Sequence, residues 1–130
     1  MNRRIKTLMF GNEQECLAAA EVLRALELLS EHMHEHLYVD DLEEFEKSMV
    51  DWEPTLLVVL ANGAKGMECV YRSRERRPGL PVFWFSDDQD FGVQSYRLNC
   101  AYFSTKPVTL EKIKHAIHRC DHFGIQYGTG

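Results

Sequence analysis

The sequence is short of several things that would settle its class. No apolar run approaches the roughly 20 residues needed to cross a bilayer. There is no basic excess. Asp and Glu total 20 against 15 Lys and Arg, a net charge of −5, which argues against a nucleic-acid-binding surface. There is no C-x-x-C pair; Cys16, Cys69, Cys100 and Cys120 are spread far apart. An even count suits disulfides in a secreted chain. However, the opening MNRRIKTLMF has too short an apolar run for a signal peptide and no small-residue cleavage site. Reduced, mostly buried thiols and a cytoplasmic location are therefore expected. No repeat, low-complexity tract or internal linker breaks the chain. Its 130 residues are enough for one domain with a real core and too few for two.

What is present is an alternation. Ile5–Phe10 is a short apolar run stopped by Gly11 and Asn12, a strand and a turn. Asn12 can cap the helix that follows, in which Leu17, Ala20, Leu23 and Leu26, with Ala19, Val22 and Leu29, recur at helical spacing. His34–Asp40 alternates loosely as a second strand. Leu42, Phe45, Met49 and Trp52 then share one helical face, with acids in the first turn. TLLVVLA and LPVFWFS are apolar throughout, as strands buried on both faces of a parallel sheet are. GMECVYRSRERR reads as a helix closed by Pro78 and Gly79. QDFGVQSYRLN reads as a weak helix carrying Gly92. CAYFST is a fifth strand. Thr109 caps a last helix whose inner stripe is Leu110, Ile113, Ala116, Ile117 and Cys120.

Five strands alternating with five helices require right-handed parallel crossovers. The expected fold is α/β: a flavodoxin-like three-layer sandwich with a five-stranded parallel sheet in the order 2-1-3-4-5. Residues 1–122 form the domain, and 123–130 a frayed, glycine-rich tail. Functional loops in such sheets leave the carboxyl ends of the strands, here near Gly11, Ala61, Ser86 and Thr105.

Over Ile5 to about Cys120 this pattern resembles the receiver domain of two-component response regulators. The most specific stretch is LPVFWFSDDQDFGVQSYRLNCAYFSTKPVTLEKI. It has a strand ending in serine, a DF…SY helix and an aromatic three residues before Lys-Pro. It looks most like receivers that precede a LytTR-type DNA-binding domain, and no such domain is present in this chain. ANGAKGME resembles the loop after the phosphorylation site.

The resemblance implies a site of three parts. Acids after the first strand hold Mg²⁺, an aspartate after the third attacks the phosphoryl group, and a hydroxyl and a lysine after the fourth and fifth bind its oxygens. The hydroxyl and lysine positions match Ser86 and Lys106, the switch aromatic matches Phe103, and Lys106-Pro107 matches the family's usual cis peptide. The acidic positions fall on Gly11 and Asn12, with Glu13 beside them. The acceptor position falls on Leu60 counting from Pro54, and on Ala61 counting back from Gly66-Met67. Neither is an acid, and Ala64 or Lys65 replaces the loop proline. Misalignment would leave Asp51, Asp87 or Asp88 as the acceptor, each out of place relative to Lys106.

Lys106 without its acids reads as an exposed inherited lysine, as an anion binder or as a partner of Glu13. Ser86 reads as a helix cap or a switch residue. His32, His34 and His36, at alternate positions, and His115, His118 and His122 on one helical face, with Asp121 nearby, are candidate metal ligands; solvent-facing histidines without an anchoring partner are more often incidental. The basic run Tyr71–Arg77 reads as a solvated helix face. NGAKG lacks the spacing of a P-loop, and FGNEQE is a poor flavin phosphate loop.

The expected function is two-component-type signalling by a receiver-like domain that is not an enzyme, takes no metal or cofactor, and docks a protein or a second copy of itself without Asp phosphorylation. By resemblance, the partner face is built around Tyr96, Tyr102, Lys112 and His115. No nucleic acid or membrane is expected to bind. A working receiver with an unaligned acceptor and a small-ligand or metal-binding flavodoxin-like domain are the alternatives.

Overall fold

The computed structural model describes residues 4–27 and 33–122. Leu29, His32 and the expected tail at 123–130 lie outside the described residues. The elements run β1 (Arg4–Phe10), α1 (Glu13–Glu27), β2 (Met33–Val39), α2 (Leu42–Asp51), β3 (Leu56–Val59), α3 (Gly63–Arg76), β4 (Val82–Ser86), a 3-10 turn (Gln89–Phe91), α4 (Gly92–Arg97), β5 (Tyr102–Thr105) and α5 (Leu110–His122). The strands form one parallel sheet in the order β2-β1-β3-β4-β5, as expected.

The period-2 side-chain alternation of the inner strands divides the core in two. Leu56, Val58 and Leu60, with Phe83 and Phe85, face Cys16, Ala19 and Leu23 of α1 and Ile113, Ala116 and Cys120 of α5. Leu57, Val59 and Ala61, with Val82 and Trp84, face Phe45 and Met49 of α2 and Cys69 and Val70 of α3. Both strands are buried along their whole length, which is why they carry no polar alternation. Among the described residues, no helix is long and apolar enough to cross a membrane.

Three local expectations change. Leu17 is exposed, because the buried stripe of α1 is Cys16, Ala19, Ala20 and Leu23, and one residue further turns the side chain about 100° away. Helix α3 starts at Gly63, three residues earlier than its apolar pattern suggests, because Gly63 takes a left-handed φ of 62° that turns the chain straight into the helix. The basic run is not simply solvated. Arg72 pairs with Glu68 and Arg76 with Glu46, while Arg74 and Arg77 donate to the backbone carbonyls of Leu80 and Pro54. The Lys106-Pro107 peptide is cis.

Candidate functional site

The loops leaving the carboxyl ends of β1, β3, β4 and β5 converge at one edge of the sheet. Phe10 O accepts from both Leu60 N (2.7 Å) and Ala61 N (3.2 Å), so the end of β3 is fastened to the end of β1. Gly11 then lies against Leu60: a Cβ built on Gly11 would sit 2.9 Å from Leu60 Cβ. A side chain at position 11 therefore has no room unless Leu60 moves. Leu60 and Ala61 are themselves buried, at 1% and 9% exposure, so both candidate acceptor positions form part of the core.

Asn12 caps α1. Its Oδ1 accepts from Glu15 N (2.8 Å) and its Nδ2 donates to Glu15 Oε1 (2.9 Å), a variant of the capping box in which the cap amide receives the returning carboxylate. The other oxygen of that carboxylate lies 2.5 Å from Lys106 Nζ. The contact is an ion pair rather than a well-directed hydrogen bond, and the Lys106 side chain is only 12% exposed. Two readings of Lys106 from the sequence are thus corrected: it is neither exposed nor paired with Glu13. Glu13 lies elsewhere on the helix turn and accepts from the Tyr38 hydroxyl (2.9 Å), which raises the phenol's pKa. Glu15 is the residue that reading the sequence missed. Its signal was the N-E-Q-E spacing at the start of α1.

Ser86 is buried, and its Oγ accepts from Asp88 N (3.1 Å), so one lone pair of the hydroxyl braces the turn into the 3-10 segment. Asn62 and Asp87 form a two-point clasp: Asn62 Nδ2 donates to Asp87 Oδ2 (2.7 Å), and Asp87 N donates to Asn62 Oδ1 (3.0 Å). This joins the β3–α3 loop to the β4–α4 loop. Phe103 turns inward, its ring 5.5 Å from that of Trp84 and edge-on to it. A hollow of about 390 Å³ beside these loops is lined by Asp87, Asp88 and Asp90.

The expected partner-face residues divide. Tyr96 is 84% exposed and His115 is exposed. Tyr102 folds back against the rings of Phe83 and Phe85, and Lys112 is tied to the carbonyls of Thr105 (2.7 Å) and Pro107 (2.9 Å). Lys112 braces the β5–α5 loop rather than standing free. His34 and His36 are half-buried on β2; His115 and His118 are exposed on α5. Among the described residues, no three His, Cys, Asp or Glu side chains are grouped to hold a metal ion.

All four cysteines are free thiols. Burial, with Asp40 and Glu15 nearby and Lys106 opposing, pushes the Cys16 pKa up to about 12. Burial pushes Cys100 to about 12 against the pull of Arg74, and it raises Cys69 well above its ordinary value. At pH 8 a thiol with a pKa of 12 is ionised in roughly one molecule in 10⁴. These three thiols should therefore resist Ellman's reagent in the native protein and react at once in denaturant. The folded state holds these protons more tightly than the unfolded one. Stability from this source is whole below about pH 9 and falls as the pH rises towards 12. Urea midpoints measured from pH 8 upward should decline in that window.

No profile of a known family matches the sequence, and no curated protein matches it. Solved structures do match. The receiver domain of a modulated diguanylate cyclase from Desulfovibrio desulfuricans G20 aligns over 93% of this chain and 96% of its own, at 24% identity and a TM-score of 0.67. The fold is that of a response-regulator receiver domain. A receiver protein from Pseudomonas putida gives a TM-score of 0.72 at 18% identity, covering 92% of this chain and 99% of its own. A CheY-like receiver from Methanospirillum hungatei JF-1 gives 0.65 at 17%, with the same coverage. At these identities the likeness is one of architecture. In this receiver fold, Gly11, Asn12, Leu60, Ala61, Ser86 and Lys106 are brought together by the strand ends, although they lie up to 95 residues apart.

Proposed function

We propose that this chain is a pseudo-receiver: a receiver-like signalling domain that acts by binding a protein partner and is not regulated by aspartyl phosphorylation. The observation that carries this reading is the end of β3. Both positions that can align with the acceptor are buried apolar residues, Leu60 and Ala61, with the Gly11 backbone packed against them. An alanine or leucine offers no oxygen nucleophile for phosphoryl transfer.

The surrounding groups support the same reading. The Lys106 ammonium, which would meet a phosphoryl oxygen, is already neutralised by Glu15 at 2.5 Å. Asp87, one of the misalignment candidates, is held on both its backbone and its carboxylate by Asn62. The three aspartates lining the adjacent hollow repel an incoming anionic donor. The domain is proposed to be non-enzymatic and cytoplasmic, and its docking face is proposed to include Tyr96 and His115.

An amide NMR titration with Mg²⁺ and beryllofluoride, an acyl-phosphate mimic, tests this. The amides of Ala61, Ser86 and Lys106 should stay in place up to millimolar ligand. Stoichiometric shifts there would mean that a working acceptor exists, and the pseudo-receiver reading would fall.

A further inference from the structure

At the edge of the sheet opposite the loops described above lies a cavity of about 670 Å³. Its floor is where the chain enters β4 and β5, at Pro81 and Ala101, and its walls are the last turns of α3, α4 and α5. Each of these helices contributes one arginine: Arg74, Arg97 and Arg119. No Asp or Glu lines it, in a chain whose acids outnumber its bases. The volume is that of a small-molecule site.

Arginines at helix C-termini have an ordinary role, since they offset the negative end of the helix dipole. Magnitudes decide how far that role extends here. A full helix end carries about half a negative charge, so three ends offset at most about half of three guanidinium charges. Helix α4, with six residues, contributes less than a full share. A positive excess remains.

The individual groups agree. Arg74 Nη1 donates to Pro78 O (2.8 Å) and Nη2 to Leu80 O, which fixes the guanidinium on neutral carbonyls alone. Its Nε is buried with no acceptor, and burial draws its pKa down, as for a cation short of a counter-charge. Among the described residues, Arg119 spends only Nε, on Ala101 O (2.9 Å). Arg97 is exposed, and its side chain makes no hydrogen bond or ion pair among the described residues. Two guanidinium groups thus keep donors free at the rim, over a partly apolar floor that includes Leu80 and Ala101.

We propose that this cavity binds a multiply charged phosphate-bearing small molecule of nucleotide size, with its anionic groups held by Arg97 and Arg119 above the fixed charge of Arg74. Guanidinium forks pair with phosphate oxygens in two parallel hydrogen bonds, and more than one anionic group is needed to match three cations. The site is separate from the β3 end and does not depend on how that end is read.

The test is an amide NMR titration of the whole chain at physiological salt with ADP, inorganic pyrophosphate and adenosine. ADP should give saturable shifts at Gly79, Asn99, Cys100 and Ala101, and none at Ser86 or Lys106. Pyrophosphate should shift the same amides; adenosine should not. R97E should weaken ADP binding by at least about tenfold, about 1.4 kcal/mol, with an unchanged Tm. Should R97E misfold, R97Q serves, with a smaller loss of affinity in the same direction. The proposal is overturned by shifts that stay linear in concentration, by adenosine binding as well as ADP, or by full affinity in the Arg97 variants.

Discussion

Gly66→Ala should lower the unfolding free energy by about 3 kcal/mol, read as a drop in the urea midpoint at constant slope. A Cβ on Gly66 would overlap the Ala61 carbonyl oxygen and come within 3.0 Å of Ala61 C. The neighbour is backbone, so no side chain can swing aside to make room. Either α3 withdraws from β3, opening the layer that holds Cys69 and Val70, or the end of β3 gives up its bonds to Phe10. Two other glycines separate this clash from other causes. Gly63 has open space around it but a φ of 62°, so Gly63→Ala should cost only the left-handed strain, about 1–2 kcal/mol. Gly79 has open space and no such φ, and Gly79→Ala should be near neutral. If all three variants behaved alike, the close packing of α3 on Ala61 would not be the reason for glycine at 66.

Trp84→Ala should cost about 3–5 kcal/mol, a large part of the 5–15 kcal/mol typical of a whole domain. Trp84 is fully buried on β4, with the Phe91 ring 5.4 Å away on one side and Phe103 at 5.5 Å on another. Removing it empties the space that keeps Phe103 turned inward and α4 seated. Trp84→Phe should be far milder than its loss of volume implies. The indole Nε1 is buried without a hydrogen-bond partner, and phenylalanine removes that desolvated donor along with the ring atoms. Trp52, the other tryptophan, remains as a fluorophore to follow unfolding in both variants.

The layers of the fold were legible because strands buried on both faces leave a plain mark, as TLLVVLA and LPVFWFS do. Helix faces were legible where the apolar stripe is wide, as in α5, and misled where an exposed leucine continued the pattern, as Leu17 does. The start of α3 was hidden because its first turn, GAK, carries no large apolar residue and is fixed by a glycine dihedral rather than by periodicity. At the candidate site, the absence of acids at Leu60 and Ala61 was readable directly. The partner of Lys106 was not, since Glu15 and Lys106 lie 91 residues apart and meet only because β1 and β5 point the same way. The arginine cavity was unreadable for the same reason: its three charges come from three helices.

The clasp between Asn62 and Asp87 has one more consequence. It ties together the two loops that frame the ends of β3 and β4 without calling on any ligand, and so favours a single contour there. On the proposed pseudo-receiver reading, a partner that bound this surface would meet one shape, and the fraction engaged would follow a plain hyperbola in protein concentration. Information would then travel as dose: synthesis and degradation of the chain would write the message, and its half-life would set how long the message lasts.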